Sequence, residues 1–172
     1  ETGPTSSCTE NYLCLRISAL QGMNNLSVQN KQRTFKISSE LMKQIAVSII
    51  DELLQNKNHE LSIVFIGENK MAEINKKYLK HKGPTDVLTF NYPDESPPKS
   101  EILICPSVAY QHAKSHKVSL GCELTRYIIH GILHIEGYND LTSEERSIMK
   151  QKENHTLNKI TKLMPIDDIS HG

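Results

Sequence analysis

A long apolar helix that carries two histidines is the feature that most constrains this 172-residue chain. Apolar residues recur at helical spacing along one side of the segment from about Leu120 to Glu136. They are Leu124, Ile128, Ile132 and Ile135. His130 and His134 lie on an adjacent side. The pattern predicts a helix that is buried except along one polar edge, so the rest of the chain must build a core around it.

The two histidines, together with the turn that follows them, predict a metal site. Residues four apart on a helix lie one above the other, so His130 and His134 can aim both imidazoles at one point. Gly137 ends the helix in a conformation that can reverse the chain and bring Asp140 beneath the histidines. Catalytic zinc sites commonly use three protein ligands and leave the fourth position to water. Two imidazoles and a carboxylate therefore favour a catalytic site over a structural one.

Simpler interpretations of the same residues stay open. The chain has eight histidines, so one His-x-x-x-His can arise by chance, with both imidazoles facing solvent or satisfied by other partners. Apolar neighbours such as Ile129 and Leu133 argue against this, because a bare imidazole among them would need a partner. Asp140 can instead cap the last helix alongside Thr142.

Short β-branched segments predict four strands. The second is apolar enough to be covered on both faces, which predicts a central place in the sheet. Residues 91–100 contain three prolines and are predicted to form a surface loop. The predicted strands are an edge strand from Leu26–Val28 and the Thr34–Ile37 region, then Leu61–Ile66, Thr85–Phe90 and Glu101–Ile104.

Helical periodicity and capping residues predict about five helices around this sheet. Ser38 or Ser39 caps the first, and Asn69 caps the second, in which Tyr78 points inward. Pro106 opens the third, which runs to about His116. The fourth carries the histidines. Thr142 and Glu145 form a capping box that opens the fifth, with Ile148, Leu157, Ile160 and Met164 inward.

The order of the elements predicts an α+β fold with a four-stranded mixed sheet and helices grouped to one side. The length fits a single domain, which we place at residues 23–165. Residues 1–22 do not begin with Met and are expected to be a disordered extension or tag. Residues 166–172 are expected to form a C-terminal tail beyond Pro165.

Charge and cysteine content limit the class of protein. Lys plus Arg and Asp plus Glu both total 20, so any affinity for RNA must come from a local patch. The residues that could bind RNA come from the densest basic cluster in the chain. The same lysines can instead form the ordinary solvent-exposed face of a helix. These candidates are Lys76, Lys77, Lys80 and Lys82. Four irregularly spaced cysteines argue against a disulfide framework or zinc knuckle, and favour a reducing cytosol. No apolar run approaches the ~20 residues that span a bilayer.

Several motifs occur in the order and spacing of one known family. His130-Gly131-Ile132-Leu133-His134, Gly137-Tyr138 and Asp140, with Asn75, Tyr78, Pro84–Phe90 and Glu101-Ile102, resemble the bacterial YbeY family from about Leu61 to Leu157. The resemblance implies a zincin-like fold, one zinc ion on His130, His134 and Asp140, and a cytoplasmic location. It also implies a zinc-dependent endoribonuclease in ribosomal RNA maturation and small-subunit quality control. The implied partners are ribosomal RNA, its precursors and the small ribosomal subunit, with no membrane and no DNA.

The chain departs from the family pattern at three positions. The third ligand is usually His, and Asp140 makes the site harder and more anionic. The family usually has Arg where this chain has Leu79, so an expected phosphate-binding guanidinium is absent there. Lys80 and Lys82 can replace it only as point charges without a bidentate fork. Glu101 stands where the family usually has Asp.

The general base is not evident from the sequence. In His-Glu-x-x-His peptidases the residue after the first histidine is the base, and Gly131 has no side chain to serve. Asp86 and Glu101 are catalytic candidates that can orient a water, although Asp86 also fits a strand-entry turn and Glu101 a solvated edge residue. Three classes stay open. They are a zinc-dependent endoribonuclease, an RNA- or ribosome-binding maturation factor with a mainly structural zinc, which Leu79 favours, and, least supported, a metallopeptidase.

Overall fold

The computed structural model describes residues 25–55, 58–80 and 82–171, with the backbone alone at residues 170 and 171. The prediction for residues 1–22 therefore lies outside the described residues. Four strands are present in this part of the chain: β1 (Leu26–Asn30), β2 (Glu60–Phe65), β3 (Val87–Tyr92) and β4 (Lys99–Ile104). Five α-helices accompany them: α1 (Ser39–Leu53), α2 (Glu68–Leu79), α3 (Pro106–His116), α4 (Leu120–Ile135) and α5 (Ser143–Leu163).

The strands form one mixed sheet in the order β1-β2-β4-β3. β2 pairs in parallel with β1 and with β4, and β3 returns antiparallel to β4. Ile102 lies opposite Ile63 on one side and Thr89 on the other. The predicted α+β fold with a mixed four-stranded sheet is confirmed, as is the central place of β2. β1 and β3 are the two edges.

Apolar side chains cover both faces of this sheet. Alternate residues of β2 and β4, such as Ile63 and Ile102, join the main core beneath α1 and α4. The residues between them, such as Val64 and Leu103, form a second cluster with Met71 of α2. The prediction that the helices group to one side is therefore wrong for α2. The continuous apolar run in β2 already required cover on both faces.

The bounds of the predicted loop at residues 91–100 and the predicted strand segment at Thr34–Ile37 are also wrong. β3 continues to Tyr92 and β4 begins at Lys99, and these two residues are opposite each other in the antiparallel pair. Backbone pairing thus extends into the predicted loop at residues 91–100. Thr34–Ile37 is not a strand, because the Gln32 side chain accepts the backbone N–H groups of Thr34 and Phe35 and holds them in a turn.

The helix caps follow the sequence except at α2. Ser38 accepts the N–H of Leu41, and Thr142 forms the predicted capping box with Glu145. The prediction that Asn69 caps α2 is wrong, because Gly67 occupies that position. Tyr78 is 56% exposed rather than inward; it lies in the last turn of α2, and its ring packs edge-on against Phe90.

The buried stripe of α5 differs from the prediction at its first residue, and the predicted Leu157, Ile160 and Met164 are buried. Ile148 is 49% exposed, whereas Met149 is buried. The stripe continues through Glu153, Leu157 and Ile160 at the expected three- and four-residue steps. An acid therefore lies at a position where the periodicity places an apolar residue.

The segment beyond Pro165, expected to be a tail, forms a 3-10 helix at Ile166–His171. Ile166 and Ile169 are buried in the main core. A Cβ atom at Gly121 would collide with the backbone oxygen of Ile166, so the glycine allows this segment to lie directly on α4. No helix among the described residues is long and apolar enough to cross a membrane.

Candidate metal centre

Close packing of α4 on the sheet fixes the position of the two histidines. Ser119 caps the helix by accepting the N–H of Cys122. Gly131 is buried, and a Cβ atom there would lie 2.7 Å from Cδ1 of Ile102. The glycine thus lets α4 approach β4 more closely than a side chain would allow. His130 and His134 remain half-buried on the open edge of the helix.

The turn after α4 returns the chain toward the histidines. Gly137 has a φ of 88°, and the N–H of Tyr138 donates to the carbonyl of Leu133 at 3.0 Å. These are features of a glycine-terminated helix. Arg146 then holds the returning segment, because its Nη1 donates to the carbonyls of Asp140 and Leu141 at 3.0 and 2.8 Å.

Three donor atoms converge at the end of this turn. Nε2 of His130 and Nε2 of His134 are 2.9 Å apart, and Oδ2 of Asp140 lies 3.9 and 3.8 Å from them, respectively. A triangle with these sides has a circumradius of about 2.1 Å, so one point lies that far from all three atoms. Zinc bonds to nitrogen and oxygen at about 2.0–2.2 Å. The three residues therefore fit a metal ion.

Hydrogen bonds behind the imidazoles set their orientation. Nδ1 of His130 lies 2.7 Å from Oε1 of Glu153, and Nδ1 of His134 lies 2.9 Å from the carbonyl oxygen of Tyr138. Both partners accept, so each Nδ1 carries the proton and each Nε2 presents its lone pair to the metal position. A carboxylate behind a histidine also raises the basicity of the ligand. Thr142, not Asp140, caps α5.

The two imidazoles differ in proton affinity when no metal is bound. Burial lowers the pKa of His130, but the hydrogen bond and charge of Glu153 more than offset it, so the pKa lies above its ordinary value. Burial and the neighbouring His130 hold the pKa of His134 below its ordinary value. Protons therefore compete with a metal ion more strongly at His130 than at His134.

A cavity of about 390 Å³ opens in front of the triad. Its walls include Asp86, whose Oδ1 accepts the N–H of Val87 at 2.9 Å and the hydroxyl of Thr85 at 3.0 Å. Tyr127 also lines it, with its hydroxyl 2.7 Å from Nδ1 of His112. Burial and the charges of Asp86 and Glu123 raise the Tyr127 pKa, so its hydroxyl stays protonated. The remaining lining residues are Val87, Arg126, His130, His134, Asp140 and Glu153.

A second groove of about 330 Å³ runs from the histidines along the edge strand β3. Its walls are mostly apolar and include Leu88, Phe90 and Leu79. Leu79 is half exposed at the end of α2. The position at which a guanidinium was expected is therefore close to the triad, but it presents an apolar side chain.

The structure brings together some of the candidate residues and separates others. Asp86 lines the metal cavity with His130, His134 and Asp140. Glu101 does not, because it shares a strand face with Leu103, in the cluster on the side opposite α4. The four lysine candidates are exposed on α2 and the turn after it, and none lines the cavity or the groove. They are Lys76, Lys77, Lys80 and Lys82.

Two charged residues at the site, Glu153 and Arg126, were not predicted from the sequence. Glu153 could have been found as the one acid on the buried stripe of α5. Arg126 precedes His130 by four residues, so helical spacing alone places it on the same edge of α4 as the two histidines. The sequence therefore carries a longer pattern, Arg126-x-x-x-His130-x-x-x-His134, which predicts a charged group beside the metal site.

The fold and the site define an α+β protein in which two histidines on a buried helix and a carboxylate in the following turn could hold a metal ion. The chain belongs to the family described as Endoribonuclease YbeY, whose model matches residues 27–161. This confirms the resemblance seen in the sequence. It also confirms that the chain belongs to the hydrolase class of enzymes.

Relatives in several bacteria support the assignment. The chain is 31% identical over 142 residues to the endoribonuclease YbeY of Finegoldia magna, which covers 78% of this chain and 93% of the relative. It is 30% identical to that of Protochlamydia amoebophila, over 80% of this chain and 94% of the relative. A solution structure of a Thermotoga maritima protein shares the fold, with a TM-score of 0.58 and 22% identity over 80% of this chain and 89% of that chain.

Proposed function

We propose that this chain is a zinc-dependent endoribonuclease that acts in ribosomal RNA maturation and small-subunit quality control by metal-assisted phosphodiester hydrolysis. The observation that carries the proposal is the convergence of His130, His134 and Asp140 on one point about 2.1 Å from each donor atom, facing an open cavity. The named activity of the YbeY relatives supports RNA as the substrate class. The cytoplasm is the proposed location.

The residues of the site divide into holding and orienting roles. His130, His134 and Asp140 hold the ion, and the charge of Asp140 partly neutralises it. When bound, zinc supplies Lewis acidity, which lowers the pKa of water and polarises a phosphoryl oxygen. Glu153 keeps the Nδ1 proton of His130 away from the metal side. The hydroxyl of Tyr127 is hydrogen-bonded to Asp86 and lies 2.7 Å from Nδ1 of His112, so it helps to hold the Asp86 carboxylate at the cavity wall.

Asp86 is the residue we propose to orient and deprotonate the attacking water. Its carboxylate lines the cavity, and Oδ1 is held by Val87 and Thr85. Oδ2 lies 3.7 Å from Nδ1 of His112, which provides a second ionisable group behind the carboxylate. Glu101 lacks this placement, so Asp86 is the stronger of the two candidates. Lys76, Lys77, Lys80 and Lys82 are proposed to contact RNA phosphates farther from the cut, as point charges without sequence readout.

A binding factor with a mainly structural zinc is the second candidate function. Leu79 favours it, because an apolar side chain at the groove cannot bind a phosphate. A peptidase is disfavoured by packing as well as by sequence. A Cβ atom at Gly131 points at Ile102, so this position has no room for the carboxylate base of a peptidase.

Cleavage of a labelled ribosomal RNA precursor hairpin by zinc-loaded protein tests the proposal. Wild type is expected to cut the RNA, and His134→Ala, purified in parallel, is expected to lose both zinc and activity. A mock preparation from cells without the gene controls for contaminating nuclease. Equal cutting by wild type and His134→Ala would reject the nuclease.

If the zinc-loaded protein bound the RNA without cutting it, the RNA-binding maturation factor would be the favoured function. Elemental analysis comes first. If protein purified with excess metal contained no bound transition metal, the proposed metal site would be wrong.

A further inference from the structure

A guanidinium lies beside the metal position in this protein. Arg126 is four residues before His130 on α4, so the two side chains are neighbours one helical turn apart. Both line the 390 Å³ cavity together with His134 and Asp140. The positive charge that is missing at Leu79 on α2 is thus present in the same region of the molecule, on another element.

Contacts with α5 hold this guanidinium in place. Nη1 of Arg126 donates to Oδ1 of Asn154 at 2.8 Å and lies 3.6 Å from Oε2 of Glu153. Both contacts use Nη1, which leaves the donors on Nη2 and Nε for a ligand. The side chain is 28% exposed, so a ligand in the cavity can reach it. A guanidinium that is already oriented loses little further freedom when it binds an anion.

The charges around the cavity explain why an anionic substrate needs such a group. Asp86, Asp140 and Glu153 all line the wall. A phosphodiester entering among three carboxylates is repelled unless cations are close to it. Among the eight residues that line this cavity, Arg126 is the one with a permanent positive charge. Its planar fork matches two phosphate oxygens at once.

We propose that Arg126 binds an RNA phosphate, namely the one that lies against the metal position when the substrate is bound. This rests on the proposed function as an RNA-acting protein, but it holds for either the nuclease or the RNA-binding factor. Arg126 is then a substrate-binding residue that compensates for Leu79. A different role would be to position Glu153, and hence His130, through the 3.6 Å ion pair. The two roles predict different changes in zinc affinity.

Arg126→Met removes the charge and keeps most of the side-chain stem, and Arg126→Lys keeps the charge without the fork. Arg33→Met is the matched control, because Arg33 is exposed beyond β1, the strand at the opposite edge of the sheet from β3. Three quantities are measured for zinc-loaded proteins. They are kcat/KM for the labelled hairpin, the salt dependence of hairpin binding, and the Kd for zinc by competition with a chelator.

For Arg126→Met we expect kcat/KM to fall by about 10²–10³-fold, as for loss of one donor to a reacting group. Arg126→Lys is expected to recover only part of it. The slope of log Kd for RNA against log salt should become shallower by about 0.7–0.9, the value for one lost phosphate contact. Zinc affinity should stay within about threefold of wild type, and Arg33→Met should match wild type in all three measurements.

An unchanged salt slope in Arg126→Met would overturn the proposal. So would a loss of zinc affinity as large as that of Glu153→Gln, since the residue would then act through Glu153. The binding measurement gives its answer even if wild type cuts no RNA, so failure of the nuclease and failure of the Arg126 role are distinguishable. If Arg126→Met does not fold, Arg126→Gln, which keeps an amide donor for Asn154, is used in its place.

Discussion

Oε1 of Glu153 lies 2.7 Å from Nδ1 of His130, so a residue on α5 determines which nitrogen of a residue on α4 faces the metal position. The carboxylate is buried and therefore keeps a nearly fixed position. It accepts the Nδ1 proton and leaves the lone pair of Nε2 directed at the ion. The packing of α5 on α4 thus also orients a histidine of the candidate metal centre.

Glu153→Gln is expected to weaken zinc binding by about 10–100-fold, the usual effect of losing a charged partner behind a metal-binding histidine. The amide oxygen can still accept the Nδ1 proton, so the site should survive in weakened form. Competition with a chelating indicator measures the change. Glu144→Gln, an exposed acid in the first turn of the same helix, should bind zinc like wild type. Equal affinities for Glu153→Gln and wild type would mean that the contact has no role in metal binding.

Gly131→Ala is expected to destabilise the fold even though alanine favours helix by about 1 kcal/mol over glycine. The new Cβ atom would lie 2.7 Å from Cδ1 and 3.0 Å from Cγ1 of Ile102, and such overpacking costs about 1–3 kcal/mol. Urea unfolding should therefore give a net loss on the order of 1 kcal/mol.

The double variant Gly131→Ala, Ile102→Val tests the cause of that loss. Valine lacks the Cδ1 atom, so the two substitutions should cost less together than the sum of the single variants. Strict additivity would show that Ile102 is not the obstacle.

His59 is expected to make the fold less stable in acid. It is buried, with Nε2 2.9 Å from Oγ of Ser100, and burial holds its pKa below the ordinary 6.5. Well above pH 6.5 the imidazole is neutral in both the folded and the unfolded chain. As the pH falls below that value the unfolded chain binds the extra proton, so stability falls until the folded pKa is reached.

His59→Gln removes this titration. Its free energy of unfolding should vary less with pH than that of wild type between about pH 7 and 5, the range around the ordinary histidine pKa. The difference in slope is at most about 1.4 kcal/mol per pH unit. Urea unfolding at several pH values measures it, and the other histidines are common to both proteins. Parallel curves for the two proteins would exclude His59 as a source of acid sensitivity.

Much of the fold follows from local sequence signals. The capping residues Ser38 and Thr142 have side chains that satisfy the first N–H groups of their helices, and they mark those helix starts without reference to the rest of the chain. The boundaries of β3 and β4 did not follow. Residues near Tyr92 and Lys99 are extended because they pair with each other across the sheet, which is a non-local cause. The one-residue error in α5 likewise reflects its contact with α4.

The candidate site divides in the same way. The spacing of His130 and His134 on one helix is a local property, and so is the reversal at Gly137. Glu153 lies 23 positions after His130 in the chain, and Asp86 directly precedes β3. Helical spacing also places Arg126 beside the two histidines, so this residue follows from a local signal as well. Glu153 and Asp86 reach the site through the packing of separate elements, which sequence periodicity does not predict.

Asp140→His is expected to change which metal the site prefers without removing the site. Asp140 is 42% exposed on its turn, so a larger ring has space to turn toward Nε2 of both histidines. A carboxylate oxygen favours harder ions such as Mn²⁺, whereas imidazole favours Zn²⁺. The ratio of zinc to manganese affinity should therefore rise on the order of tenfold or more, as measured by competition with a chelating indicator for each metal. Asp140→Ala leaves two protein ligands, so it should bind both ions more weakly than wild type or Asp140→His does. If Asp140→His and wild type gave the same ratio, or if Asp140→Ala bound zinc as wild type does, the carboxylate would not be a ligand.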